Sequence, residues 1–311
     1  MNNRTIAMVA LLGATVLFGL MSIPSKGLIN TDLNFFDVTF LRLGISALVL
    51  LVYLLIRKRD KLAIRKQDLV FLILFGVFKY VSDYMFFAAL GHITVGLVSI
   101  LQNTFPYFVL FASYILFKER VQKRKILFIM IGSFGCVLMA GKAIMGANLN
   151  PLGIIFALIS AACLGMYIIG ARISLDRGYE PVTYLFYMML IAAIIAAPLC
   201  SMARIVDTLS TNTTSIIDSV VLAVFMTVIP YFIMAWSLKY LEPVIASMIS
   251  VMELVFASLV GLWFFNEPMD FQDVIGIILM CLSVYLMNKV YEKEKGEDDD
   301  DNNDGPKPSA T

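Results

Sequence analysis

The chain is poor in the residues that do chemistry in water. It has one histidine, four cysteines and two tryptophans in 311 residues, and only 15% of it is Asp, Glu, Lys or Arg. The single histidine, His92, falls in a short loop, where solvation is its ordinary fate. Cys136, Cys163, Cys200 and Cys281 each stand alone inside apolar runs, without the paired spacing of a disulfide framework or a zinc site. No glycine-rich loop ends in Lys-Ser/Thr, so the phosphate cradle of a P-loop enzyme is missing as well. These absences argue against an enzyme and against a bound cofactor. With a formal net charge of +1, the chain has no large basic excess for nucleic acid either.

What fills the space is apolar. Hydrophobic residues make up 60% of the sequence and are gathered into ten stretches, roughly 6–28, 36–56, 68–90, 93–117, 126–145, 151–173, 181–203, 216–238, 243–265 and 271–290. A hydrocarbon layer about 30 Å thick needs about 20 apolar residues in a helix, and without water each backbone polar group must be satisfied within its own helix. The sequence therefore predicts an all-α integral membrane protein with ten transmembrane helices, short loops and no soluble domain, in direct contact with the lipid bilayer. The run after Met1–Thr5 is too long for the apolar core of a signal peptide and is read as the first helix. From Glu292 the chain turns polar and acidic, which predicts a disordered tail over 291–311.

Lysine and arginine set the orientation. If every stretch crosses once, 19 basic residues fall on one face and three (Lys26, Lys142 and Arg204) on the other, with Arg42 and Lys79 left inside the membrane layer. The basic loops 57–66 and 118–125 dominate the count. Both termini are expected on the cytoplasmic side of a cell membrane.

The chain also repeats. A shift of 148 residues aligns 89–139 with 237–287 without a gap, pairing Ser99 with Ser247, Phe117 with Phe265 and Glu119 with Glu267. The basic loops correspond to stretches without Lys or Arg at 205–214 and 266–273. Five helices per repeat is an odd number, so the second copy must lie inverted and its equivalent loops must lose their positive charge. The expected domains are a first five-helix repeat over 1–145 and a second, inverted one over 146–290. Inverted repeats are the architecture of alternating-access carriers, with a site near the midplane between the halves.

Local sequence adds a resemblance. Phe18-Gly19 and Lys26, Phe40-Leu41-Arg42, Ala88-Ala89-Leu90, Pro106, Phe117-Lys118-Glu119-Arg120, Met252-Glu253-Leu254-Val255-Phe256-Ala257 and Phe265-Asn266-Glu267 resemble, in that order, the EamA-type drug/metabolite transporters. The resemblance implies a secondary carrier without an ATPase, moving amino acids, nucleoside-like compounds or amphipathic organic ions, in exchange or with protons. Its partner is then a small-molecule substrate, and the chain works as a monomer or homodimer. A flippase for a lipid-linked head group is the nearest alternative, and an intramembrane transferase a more distant one. Where the family pattern has proline after the glutamate, this chain has Leu254, which predicts a straighter ninth helix.

Few residues inside the membrane layer carry chemistry. Glu253 lies at the centre of the ninth stretch, where a charged side chain costs about 2.5–3.5 kcal/mol on insertion scales; it is read either as a protonatable coupling or substrate site or as a neutral acid bonded to a neighbouring helix. Lys79 and Asp83 are one turn apart and can pair, or contact substrate. Gln102 and Asn103 offer amide donors and acceptors for a polar or zwitterionic group, against a plain helix-to-helix role. Tyr80, Tyr231 and Trp236, with Tyr84 and Tyr167, stand where rings could line a pocket or stack on a cation, although most such aromatics only pack. Arg42 is read as an anchor snorkelling to the headgroups.

Overall fold

A computed structural model describes residues 3–118, 122–139, 141, 150–265 and 269–303, with Phe265 and the last fourteen as backbone only. Every regular element among these is helical, and nine helices are long and apolar enough to cross a membrane. We label the membrane helices α1 (Asn3–Ile29), α2 (Phe35–Arg57), α3 (Leu69–Leu90), α4 (Val95–Phe117), α5 (Lys123–Met139), α6 (Pro151–Asp176), α7 (Pro181–Ala196), α8 (Thr213–Ser237), α9 (Pro243–Phe264) and α10 (Phe271–Asn303). The fifth, expected over 126–145, is the one below spanning length; most of its remainder lies outside the described residues. The last helix runs on through Asn303, past the point where the sequence was read as unstructured, in a stretch whose Glu and Lys residues favour helix. Residues 304–311 lie outside the described part.

Helix ends follow local chemistry. Asn34 and Asp37 form a capping box at the start of α2, each accepting the other's backbone N–H, at 2.9 and 3.1 Å. Proline stands in the first turn of α6, α7 and α9, where its missing N–H costs nothing. Four helices are interrupted, α8 by a π-helical turn at Val224–Val228. In α1 the ladder shifts at Met21, between Asn3–Leu20 and Ser22–Ile29. In α4 it stops between Val95–Gln102 and Phe105–Phe117, and in α9 between Pro243–Ser250 and Glu253–Phe265.

The last two interruptions coincide. Adding the shift of 148 to the bounds of both α4 segments gives the bounds of both α9 segments, residue for residue. Leu254 therefore does not keep α9 straight, contrary to the sequence expectation. Beside the breaks, serine and threonine bond back to their own helices, a contact that favours bending: Ser247 and Ser250 donate to the carbonyls of Val244 (2.6 Å) and Ala246 (2.8 Å), as Thr104 does to Leu101 (2.6 Å) in α4.

The packing has the same regularity. Helix α3 lies along α6 and α8 along α1; α4 packs on α6 and α9 on α1; α2 packs on α7 and α5 on α10. Helices α2 and α7 run antiparallel: Asp37, at the start of α2, accepts the N–H of Ser201 after α7 (2.8 Å), and Lys58, at the end of α2, meets Glu180 before α7. The α5–α10 pair is antiparallel as well. Ser283 donates to the carbonyl of Phe128 (2.7 Å), while Gly135 faces Gly276 closely enough that a Cβ on either would stand 2.6–2.7 Å from the other's carbonyl oxygen.

Candidate functional site: a cavity between the two broken helices

Interrupting a helix in an apolar layer frees backbone groups and brings polar side chains to the gap, which is tolerated where the gap lines a cavity. Here the breaks of α4 and α9 do line one. A cavity of about 430 Å³ is bounded by residues of α1, α2, α3, α4, α6, α8 and α9. Ser99, Gln102 and Asn103 come from the α4 break, and Ser250, Glu253 and Leu254 from that of α9. The remaining surface is largely aromatic and aliphatic, with Phe18, Phe86, Phe87, Phe105 and Ile168 among its walls.

The polar heart of the site is a three-residue ion cluster. Lys79, fully buried, donates to both carboxylate oxygens of Asp83 at 2.7 Å, and Arg42 donates to one of them at 2.8 Å. Two cations share one carboxylate, so the cluster carries a surplus of one positive charge. Behind it the Lys79 ammonium lies 5.1 Å from the ring centroid of Tyr231, whose own edge-on contacts are with Phe18 (4.9 Å) and Tyr167 (5.6 Å). Arg42 and Asp83 face the cavity; Lys79 does not, and holds Asp83 from behind.

Arg42 is the cavity residue that sequence reading placed wrongly. It does not snorkel to the headgroups: it is 8% exposed, bonded to Asp83 and in contact with the Met21 sulfur at 3.7 Å. An unpaired Arg near a helix end reads as an anchor because one sequence cannot show the acid that awaits it 41 residues away.

Of the other expected residues, Asp83, Gln102, Asn103, Tyr231 and Glu253 converge on the cavity. Gln102 donates to Ser160 Oγ (3.2 Å), next to a reciprocal clamp in which Ser82 and Ser160 each bond the other's carbonyl. Asn103 gives its amide N–H to Ser99 of its own helix (2.9 Å) and keeps its carbonyl oxygen available. Glu253 begins the second segment of α9 and has no hydrogen-bond or ion-pair partner among the described residues. Tyr80 and Trp236 are not part of the lining. Tyr80 sits in a separate crevice with Phe36, Thr39 and Tyr84, and Trp236 packs edge-on against Tyr240 at 5.3 Å. Helical spacing alone gave no sign of which face of α3 or α8 would be turned inward.

The cavity reaches one face of the protein. Lys26, Ile29, Phe35, Leu90 and Val95 lie along its mouth, all at helix ends opposite the N-terminus. The other face is closed by bonds among the basic loops. Lys58 and Lys61 meet Glu180, Arg177 meets Asp68, and Tyr179 donates to Asp68 at 2.8 Å. Thr183 and Tyr187 donate to the carbonyls of Lys61 (3.1 Å) and Leu62 (2.7 Å), and Lys125 pairs with Glu242 at 3.2 Å. The hydrogen bond from Lys58 holds the Glu180 carboxyl below its ordinary value, and the same bond raises the Lys58 ammonium.

Among the described residues, a helical body with nine helices long and apolar enough to cross a membrane, around a cavity with a few polar groups, is that of an integral multi-pass membrane protein. The EamA-like transporter family matches twice, over residues 5–141 and 151–289, and the chain belongs to that family. Two uncharacterized transporters of Archaeoglobus fulgidus are similar to it, one 28% identical over 80% of this chain and 87% of its own, the other 25% identical over 89% and 94%. Protein PecM of Dickeya dadantii is 21% identical over 66% of this chain and 69% of its own. A solved crystal structure superposes on 93% of this chain and 99% of its own with a TM-score of 0.75 at 16% identity, which shows a shared fold.

Proposed function

We propose that the chain is a secondary transporter of a small metabolite, built as two inverted five-helix repeats and working by alternating access. The cavity carries this reading: both halves contribute a broken helix to it, it reaches one face, and the other face is closed by ion pairs and hydrogen bonds between the 57–66 loop and the start of α7. The matching breaks of α4 and α9 and the antiparallel α2–α7 and α5–α10 pairs support an inverted second repeat. Carriers of that architecture bind at the midplane between their repeats. With the basic loops on the cytoplasmic side, the state described is open outward and closed inward. Glu253, a cavity carboxylate without a partner among the described residues, is the candidate for exchanging a proton during the cycle.

Coupled accessibility at the two faces tests the mechanism without knowledge of the substrate. In a cysteine-free background, Ser25→Cys at the mouth reports outward opening to an impermeant thiol reagent, and spin labels at Ala63 and Asp176 report the closed face. Adding Glu180→Gln and Asp68→Asn should lengthen the second distance and lower labelling at Ser25→Cys together. Opening of the closed face with labelling at the mouth unchanged would refute alternating access.

A further inference from the structure

The loop 57–66, on the face opposite the cavity mouth, sorts its side chains by direction. Two 3-10 turns, Arg59–Leu62 and Lys66–Asp68, shape it, and Leu62 and Ile64 pack against the core. Its inner edge is held by α7 and the residues before it: Thr183 and Tyr187 bond the carbonyls of Lys61 and Leu62, and Arg65 gives its backbone N–H to the Tyr179 hydroxyl at 3.1 Å. Its outer edge is cationic. Of the six basic residues, Lys58 and Lys61 turn to Glu180, and Arg65 lies in the field of Asp68. Arg57, Arg59 and Lys66 are exposed and have no anion paired with them among the described residues.

The surface beside these three cations is aliphatic. Leu55 and Ile56 lie in the last turn of α2 and Leu69 and Val70 in the first of α3; all four are exposed, Ile56 at 73% and Val70 at 74%. Apolar side chains turned outward at the ends of two membrane helices meet acyl chains, which puts the cations next to them at the level of the headgroups. Resting on the multi-pass build alone, we infer that Arg57, Arg59 and Lys66 form a headgroup site for an anionic phospholipid, whose acyl chains lie along Leu55, Ile56, Leu69 and Val70. The planar forks of the two arginines suit phosphate oxygens, and the loop, fixed along its inner edge, presents them without further ordering. A nucleic acid or a soluble acidic protein would use the cations and leave the aliphatic flank uncovered. The acidic end of this chain, over 297–304, has the charge but no hydrocarbon, and the helix that carries it packs on α5 rather than on α2 or α3.

Lipid quenching in nanodiscs tests the site on the full chain. In a cysteine-free background, a bimane on Val70→Cys is quenched by brominated phosphatidylglycerol or by brominated phosphatidylcholine with the same acyl chains, each titrated into unlabelled phosphatidylcholine. The anionic lipid should reach half-maximal quenching at a mole fraction about 3- to 100-fold lower, the range of three exposed cations near a headgroup. Arg57→Gln, Arg59→Gln and Lys66→Gln together should bring the two curves into register while the protein melts with the wild type, since all three side chains are exposed. Equal quenching by both lipids in the wild type, or a preference that survives the triple change, would overturn the inference. So would recovery of fluorescence on adding millimolar glycerol 3-phosphate, which would mark a site for a soluble anion. A preference that appears only after Asp298→Asn, Asp299→Asn, Asp300→Asn and Asp301→Asn would assign the cations to the chain's own acidic end and remove the lipid. None of these readings involves transport, so their failure is separate from that of alternating access.

Discussion

Replacing Asp83 by Asn is the sharpest test of the ion cluster. The side chain keeps its size and loses only its charge, but in this protein that charge answers two cations. Lys79 is fully buried and donates to Asp83 at both 2.7 Å contacts; Arg42, 8% exposed, loses its 2.8 Å bond as well. Removing one partner of a buried pair costs about 3–5 kcal/mol, because an uncompensated charge remains. At roughly 2 °C per kcal/mol for a chain of this size, the apparent Tm in detergent should fall by about 6–10 °C. Lys79→Met should be milder, on the order of 1–3 kcal/mol, since it leaves Arg42 and Asp83 balanced. Joining Asp83→Asn to Lys79→Met and Arg42→Gln removes all three charges and should restore much of the loss. Thermal unfolding followed by intrinsic fluorescence reads all of these. If Asp83→Asn melts with the wild type while Lys79→Met falls further, the cluster is not held together by charge balance and the reasoning fails.

Three more outcomes follow from other parts of the molecule. Gly135→Ala should destabilise by about 1–3 kcal/mol, because its Cβ would meet the Gly276 carbonyl oxygen at 2.7 Å, whereas Gly13→Ala, with nothing within 4 Å, should be neutral or stabilising; thermal melts of the pair check this. At the closed face, the depressed Glu180 carboxyl means its bond to Lys58 is fully present above the ordinary carboxylate pKa of 4.5 and is lost as pH falls through the lowered value; the raised Lys58 loses it only at high pH. The Ala63–Asp176 spin-label distance should thus stay short around neutral pH and lengthen in acid, and Glu180→Gln should shift the populations by only about 1.4- to 5-fold, the range of an exposed pair. For Glu253→Gln, proteoliposome uptake should persist but lose its dependence on pH; a wild-type pH profile in that variant would remove Glu253 from any coupling role.

The sequence by itself determined the class of the molecule, because length and hydropathy act locally: a run of about 20 apolar residues in lipid has no alternative to a helix. The segment bounds of α4 and α9 differ by the same 148 residues that relate the two aligned stretches of sequence, although no sequence feature foretold the breaks themselves. Lys79 and Asp83 were paired correctly because helical rise alone puts residues four apart together. What only the tertiary structure decided is which faces meet. Arg42 joins Asp83 across two helices, Tyr80 and Trp236 turn away from the cavity that Tyr231 lines, and Glu253 stands in it without a partner among the described residues. Periodicity gives a helix its rotation only when one face is polar, and these helices are apolar almost all round, so their orientation waits on packing against neighbours distant in the chain.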